Sequence, residues 1–430
     1  MARRSAATGS CVGTVACDGL PMSATSTGLS ASPAALAHGE ILIALEAGDR
    51  ASVTASAASI RAHLAARFPG CTAKFAVATA GSETALADLD SPDATSAAAV
   101  PALAGGGISG PLSVLNAVLR EADRLGAPAA LLSSGAHDES VDWVGLLLQP
   151  ILEEGFDYVC PTYRRERLDG MLNTAIVYPL TRALFGRRLR QPAGGEAAVS
   201  LALARALLAQ PAWREDPAYA GSDAWLVASV LAGPFRACQA WLGKWPGGAG
   251  QPEEASQALA RIVGPVFQEM ERHAERWQRV EGSEPVTSVG QAGMIADGPF
   301  TVDVGALEEA FRLGLRELGE LWGLVLPPGT LLTLRRAAAA SAGKARVTDA
   351  LWARIVYDFA VAHSTRVLER KQLLRSMTPL YLGWVRGFVE DVRELDGDGT
   401  EARVEALCGS FEREKRYAIA RWRWPDSFNP

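Results

Sequence analysis

Histidine, cysteine and aromatic side chains are scarce in this chain of 430 residues, which has 5 His, 6 Cys and 7% Phe, Trp and Tyr. Cys11, Cys17, Cys71, Cys160, Cys238 and Cys408 are scattered without C-x-x-C or Cys/His spacing, which excludes a zinc motif and gives no disulfide framework. A reducing cytoplasm is the compartment that fits. No apolar run approaches the roughly 20 residues that a membrane-spanning helix needs. Arg3 and Arg4 are not followed by the apolar core of a secretory signal, so none is expected. Charge of one sign never accumulates either. Lys and Arg number 42 against 48 Asp and Glu, for a net charge of −6, and the basic residues are dispersed, so nucleic acid is not an expected partner.

What is present is enough chain for a large core without disulfides or a structural metal. Residues 1–37 are rich in Ala, Ser, Thr and Gly and read as a disordered low-complexity tail or a mis-set start. Residues 38–250 alternate strand and helix patterns. The strands are "ILIAL" at 41–45, "KFAVATA" at 74–80, "APAALLSS" at 127–134 and "FDYVCPTY" at 156–163; the helices are Val53 to Phe68, Leu112 to Leu125 and the stretch "WVGLLLQPILEEG". Strands separated by helices of this length imply an α/β fold with a parallel, doubly wound sheet, whose ligands bind at the carboxyl ends of the strands. Residues 171–210 read as mainly helical, and 251–430 as a helical C-terminal region, from apolar residues at helical spacing.

One stretch is more specific: "DYVCPTYRRERLDGMLNTAIVYPLTRALFGRRLRQPAGGE", residues 157–196. A strand ending Pro161-Thr162-Tyr163 runs into an arginine-rich loop with Asp169-Gly170. A Tyr-Pro-Leu-Thr-Arg-Ala-Leu helix and then Arg190-Gln191-Pro192-Ala193-Gly194-Gly195-Glu196 follow. With "GSDAWLVASVLAGPFRACQAWLGK" at 221–244, this resembles GT-A-fold family 2-like glycosyltransferases of the mannosylglycerate synthase group. The resemblance implies a GT-A (Rossmann-like, nucleotide-diphospho-sugar transferase) domain followed by a helical region. It implies transfer of a sugar from a UDP- or GDP-linked donor to a small acceptor such as a hydroxy acid. Mg²⁺ or Mn²⁺ would bridge the diphosphate in such an enzyme, held by an Asp-x-Asp pair and a histidine.

Carried over by position, Asp223 matches the group's carboxylate near the reacting sugar, and Glu196 its Gly-Gly-Asp/Glu. Arg164, Arg165, Arg167 and Asp169 form the polar loop that would bind substrate. Gly194 and Gly195 would permit close backbone approach to a ligand. Aligned through Trp143, the Asp-x-Asp falls on Ser133-Ser134-Gly135, and the metal histidine on Trp245 or Pro246. No metal ligand of the group is therefore retained. "ALEAGDR", "ATAGSET" and Gly110-Pro111-Leu112 depart from its nucleotide-reading loops, and "DGMLNT" from its acceptor stretch. The alternatives are a transferase that works without metal or with a rebuilt site, a catalytically inactive pseudo-glycosyltransferase acting as a binding or regulatory partner, as a homo-oligomer or beside an active paralogue, and an enzyme that takes an unrelated small-molecule substrate in the same cleft.

Plainer assignments stand beside these. His137, Asp138 and Glu139 read as a loop's polar face, since adjacent side chains point in different directions. "AGGGISG" lacks the lysine of a phosphate cradle and reads as a flexible loop. His63, His273 and His363 read as ordinary helix residues, and "DGDGTE" at 396–401 as a turn. Glu196 and Asp223 would otherwise cap helices or pair with arginines, and "RRERLD" and "GRRLR" would be a solvated basic face.

Overall fold

The computed structural model describes residues 39–46, 50–79, 85–88, 111–133, 142–192, 196–216, 219–245, 255–291, 302–340 and 346–425. All belong to the compact unit Ala34–Pro430. Its strands are β1 (Gly39–Glu46), β2 (Cys71–Thr79), β3 (Ala85–Asp88), β4 (Ala129–Ser133) and β5 (Tyr158–Arg164). Then come β6 (Arg187–Arg188), β7 (Ala197–Ser200), β8 (Ala237–Lys244), β9 (Glu284–Pro285) and β10 (Thr287–Val289). Among the described residues the main sheet has eight strands in the order β10-β8-β5-β7-β4-β1-β2-β3.

β1 explains why the sheet is covered on both sides. Ile41, Leu42, Ile43 and Ala44 are all fully buried, which a strand of alternating faces allows only if both faces are packed. Ile41 and Ile43 face Ile60 and Leu64 of helix Arg50–Arg67 and Val144 and Leu147 of helix Asp142–Glu154. Leu42 and Ala44 face Leu115 and Val118 of helix Pro111–Leu125. The α/β class read from the sequence, with a helical C-terminal region after the sheet, is the one observed.

Two local expectations are corrected. The sheet is mixed, because β3 pairs antiparallel with β2, and β7 antiparallel with both β4 and β5. Residues 171–210 are mainly helical and also contain β6 and β7. β7 reads "AAVS", and alanine's helix preference misleads there because small side chains are what fits between β4 and β5. The "DGDGTE" stretch is not a turn. Asp396 caps helix Gly397–Arg423, its Oδ1 accepting the Gly399 amide at 2.8 Å, and an acidic first turn suits the helix dipole.

The C-terminal helices pack through aromatic rings. Trp352 of helix Asp349–Thr365 stacks on Trp384 of helix Thr378–Val392 at 6.0 Å between centroids. The indole of Trp352 donates to the Ala175 carbonyl at 2.9 Å. Ala175 lies in Asn173–Val177, a π-wound segment of the kind often found beside functional sites. Lys415 of the last helix donates to the Ala183 and Val280 carbonyls at 2.6 and 2.7 Å. No described helix is long and apolar enough to cross a membrane.

Candidate functional site

Strand order brings together side chains that are far apart in sequence. β4, β7, β5 and β8 are consecutive in the sheet. Because β7 runs opposite to its neighbours, the residue before it, Glu196, stands at the edge where the other three strands end. There the Ser133 hydroxyl, at the end of β4, donates to Glu196 Oε1 at 3.1 Å. The Tyr163 hydroxyl, on β5, donates to Glu196 Oε2. The Tyr163 ring meets the Trp245 indole edge-to-face at 4.9 Å, and Trp245, just beyond β8, bonds its amide to the Arg164 carbonyl at 2.9 Å. The row ends at Arg165, whose guanidinium carbon lies 3.8 Å above the Trp245 ring, a cation–π contact worth about 0.5–2 kcal/mol.

Burial, and then the Glu196 carboxylate, hold the Tyr163 phenol well above its ordinary value, so the hydroxyl keeps its proton and acts as donor. Glu196 is 4% exposed, and a buried carboxylate needs such donors. Burial also pulls Arg165 below its ordinary value, with Asp169 opposing. Arg165 Nε donates to Gln191 Oε1 at 3.1 Å. Gln191 in turn exchanges bonds with the Tyr163 backbone, accepting its amide at 3.2 Å and donating to its carbonyl at 2.8 Å.

In front of this row lies a cavity of about 250 Å³. Arg164, Arg165, Arg167 and Asp169 line it as a group, together with Asn173, Arg190 and the start of the last helix at Asp398, Thr400 and Glu401. Arg190 Nε and Nη2 reach Glu401 at 2.7 and 3.1 Å. Burial works against the Arg190 charge, but Glu401 outweighs it and the group sits above its ordinary value. Asn173 Nδ2 donates to the Arg190 carbonyl at 3.1 Å. Its buried Oδ1 has no hydrogen-bond partner among the described residues.

Of the residues picked from the sequence, the four of the 164–169 loop therefore come together. Glu196 sits one layer behind them, through Tyr163, bonded to two hydroxyls. Asp223 does not line the cavity; it opens helix Asp223–Ala232, where Ser222 is the cap and accepts the Trp225 amide at 3.3 Å. Its charge is felt by Tyr158 and Cys160 of β5. Burial, with a contribution from Asp223, pushes the Cys160 thiol up to about 12. Gly194, Gly195, Ser134, Gly135, Pro246, His137, Asp138, Glu139 and "AGGGISG" lie outside the described residues.

The arginines are not a uniformly solvated face. Arg165 and Arg190 are part-buried, and Arg187 pairs with Glu284 at 2.9 Å. Missed from the sequence were Arg190, Gln191, Asn173 and Glu401. The first three lie inside the quoted 157–196 stretch, so the signal was present, whereas Glu401 required knowing that the last helix closes the cavity.

A divalent cation does not fit the residues seen at this edge. Ser133 offers a neutral hydroxyl already turned toward Glu196, both Glu196 oxygens accept hydroxyl donors, and an indole at Trp245 has no ligand lone pair. Among the described residues no three His, Cys, Asp or Glu side chains gather where they could hold a metal ion.

No protein-family model matches this chain, and no curated protein does. Among solved structures it is similar to glucosyl-3-phosphoglycerate synthase from Mycobacterium tuberculosis. The complex with Mg²⁺ and uridine diphosphate is 18% identical over 54% of this chain and 79% of that one, with a TM-score of 0.36. The complex with phosphoglyceric acid is 18% identical over 54% and 80%, with a TM-score of 0.35. The complex with Mn²⁺, uridine diphosphate and phosphoglyceric acid is 16% identical over 54% and 78%, with a TM-score of 0.33. A likeness this distant fixes no activity for the chain.

Proposed function

We propose that this chain is a glycosyltransferase of the mannosylglycerate synthase type, moving a sugar from a UDP- or GDP-linked donor to a small hydroxy acid. The observation that carries this is the cavity at the ends of β5 and β8, where Arg164, Arg165, Arg167 and Arg190 meet beside Asp169 and Asn173. At about 250 Å³ it is smaller than the usual range of roughly 300–1,000 Å³ for drug-sized ligands, so it suits a compact acceptor rather than a whole sugar-nucleotide. The planar guanidinium groups of Arg164, Arg167 and Arg190 would grip the acceptor's carboxylate or phosphate by paired hydrogen bonds, leaving Arg165, stacked on Trp245, for the donor's diphosphate. The donor would lie along the same edge, with Asp223 as the carboxylate nearest the transferred sugar and Glu196 fixing the Tyr163 wall.

The test is release of nucleoside diphosphate from UDP- and GDP-sugars, with glycerate and phosphoglycerate as acceptors. Turnover is expected that Asp223→Asn lowers by about 100-fold or more, the scale of losing one transition-state contact. The second reading, a binding partner without turnover, is favoured by the loss of the carboxylate at Ser133. It predicts thermal stabilisation by a sugar-nucleotide without product. Neither turnover nor stabilisation with any donor would overturn both.

A further inference from the structure

The row Ser133–Glu196–Tyr163–Trp245–Arg165 occupies the sheet edge where the resemblance would put a cation and its ligands. We infer that the charge-holding role at this edge has passed from a metal ion to the Arg165 guanidinium, so that a diphosphate binds here without any divalent cation. That the ligand is a diphosphate rests on the sugar-nucleotide reading; the cation independence rests on the geometry of the row.

Three features support it. Glu196, the carboxylate seen at this edge, already has both oxygens hydrogen-bonded by hydroxyl donors, and among the described residues no further His, Cys, Asp or Glu side chains gather with it to complete a metal's ligand set. Trp245 is one of the two positions, with Pro246, on which the resemblance would put a metal-binding histidine, and its ring carries a cation of the chain's own, Arg165, at 3.8 Å. Finally, Arg165 is held from two sides, stacked on Trp245 and bonded through Nε to Gln191 at 3.1 Å. Its Nη groups are thus presented by a fixed plane, and a guanidinium so held pairs with phosphate oxygens at little entropic cost.

Two titrations on the full chain test this, neither of which needs turnover. Mn²⁺ alone, followed by the electron paramagnetic resonance of the free ion, is expected to give the same curve for the native chain and Glu196→Gln. A stoichiometric Mn²⁺ site that Glu196→Gln abolishes would overturn the inference. Inorganic pyrophosphate, followed by calorimetry, is expected to bind with unchanged affinity in EDTA and in Mn²⁺. Arg165→Ala should weaken it about tenfold or more in both, the scale of one charge-assisted hydrogen bond. Arg165→Lys, which keeps the charge and loses the plane, should fall between, and thermal melts of both variants should confirm an intact fold.

Pyrophosphate binding that requires Mn²⁺, or that ignores both Arg165 substitutions, would sink the proposal. The two readings separate cleanly. Pyrophosphate binding as described without turnover of any sugar-nucleotide counts against the transferase and for the cation-free site. Turnover that needs a Mn²⁺ ion lost with Glu196→Gln does the reverse.

Discussion

Arg190 and Glu401, 211 residues apart, form a two-point pair that fastens the 187–191 segment to the first turn of the last helix, at 2.7 and 3.1 Å. Truncating either leaves a partly buried charge without its partner, and Glu401 keeps partial solvent access that reduces the cost. Glu401→Ala is expected to lower the unfolding free energy by about 1–2 kcal/mol, read from the urea midpoint. An unchanged midpoint would show that the pair adds nothing to docking of this helix.

The Tyr163 hydroxyl is one of two seen bonding to Glu196. Tyr163→Phe keeps the ring against Trp245 but removes a donor from a buried carboxylate. The expected cost is about 1–3 kcal/mol. The double variant Tyr163→Phe, Glu196→Leu should recover part of it, because no buried charge then remains; if the double variant is the less stable, the hydrogen bond is not the source of the loss.

His363 lies 1% exposed in helix Asp349–Thr365, with its Nδ1 unpartnered among the described residues. Burial first, then the Arg370 and Arg366 charges, lower it from 6.5 to about 4. The folded state therefore resists a proton that the unfolded chain accepts. Stability from this residue is complete above pH 6.5 and is lost as the pH falls toward 4, by about 3 kcal/mol in all. His363→Leu should flatten that part of the stability profile in denaturant titrations at pH 4, 5, 6 and 7. An equal slope in both proteins would contradict it.

Two helical glycines make a matched pair. A Cβ on Gly314 would come within 2.2 Å of Pro379 Cβ, whereas Gly319 has nothing within 4 Å. Gly314→Ala must push helix Val304–Glu317 off helix Thr378–Val392, at a cost of about 1–3 kcal/mol or more. Gly319→Ala should be neutral or gain about 0.4–1 kcal/mol. Melting temperatures of the two single variants suffice to check the contrast.

How far the sequence could be read depended on how local the cause was. Ile41–Leu45 announces a buried strand because its apolar run needs cover on both faces, and Trp143–Leu148 announces a helix by its spacing. β7 escaped because four small residues carry no pattern of their own; neighbouring strands impose its conformation. The 164–169 loop was legible as a polar cluster, and Glu196 as a motif residue. The contact of Arg165 with Trp245 was not, since 80 positions separate them and only the adjacency of β5 and β8 brings them together. Asp396 looked like a turn former because capping and turning use the same side-chain chemistry.

β7 also has a mechanical meaning. On one side of it lies the block β4-β1-β2-β3, and on the other β5-β8-β10; among the described residues the two blocks meet in the sheet only through this four-residue strand. Its junction with β5 is a short one, with Tyr158 opposite Val199 and Val159 opposite Ala198. The joint between the halves is therefore a narrow seam, and Glu196, reached by Ser133 from one block and Tyr163 from the other, acts as a rivet at its end. Slow amide exchange at Ala198 and Val199 would mark the moments when the two halves of the sheet part company.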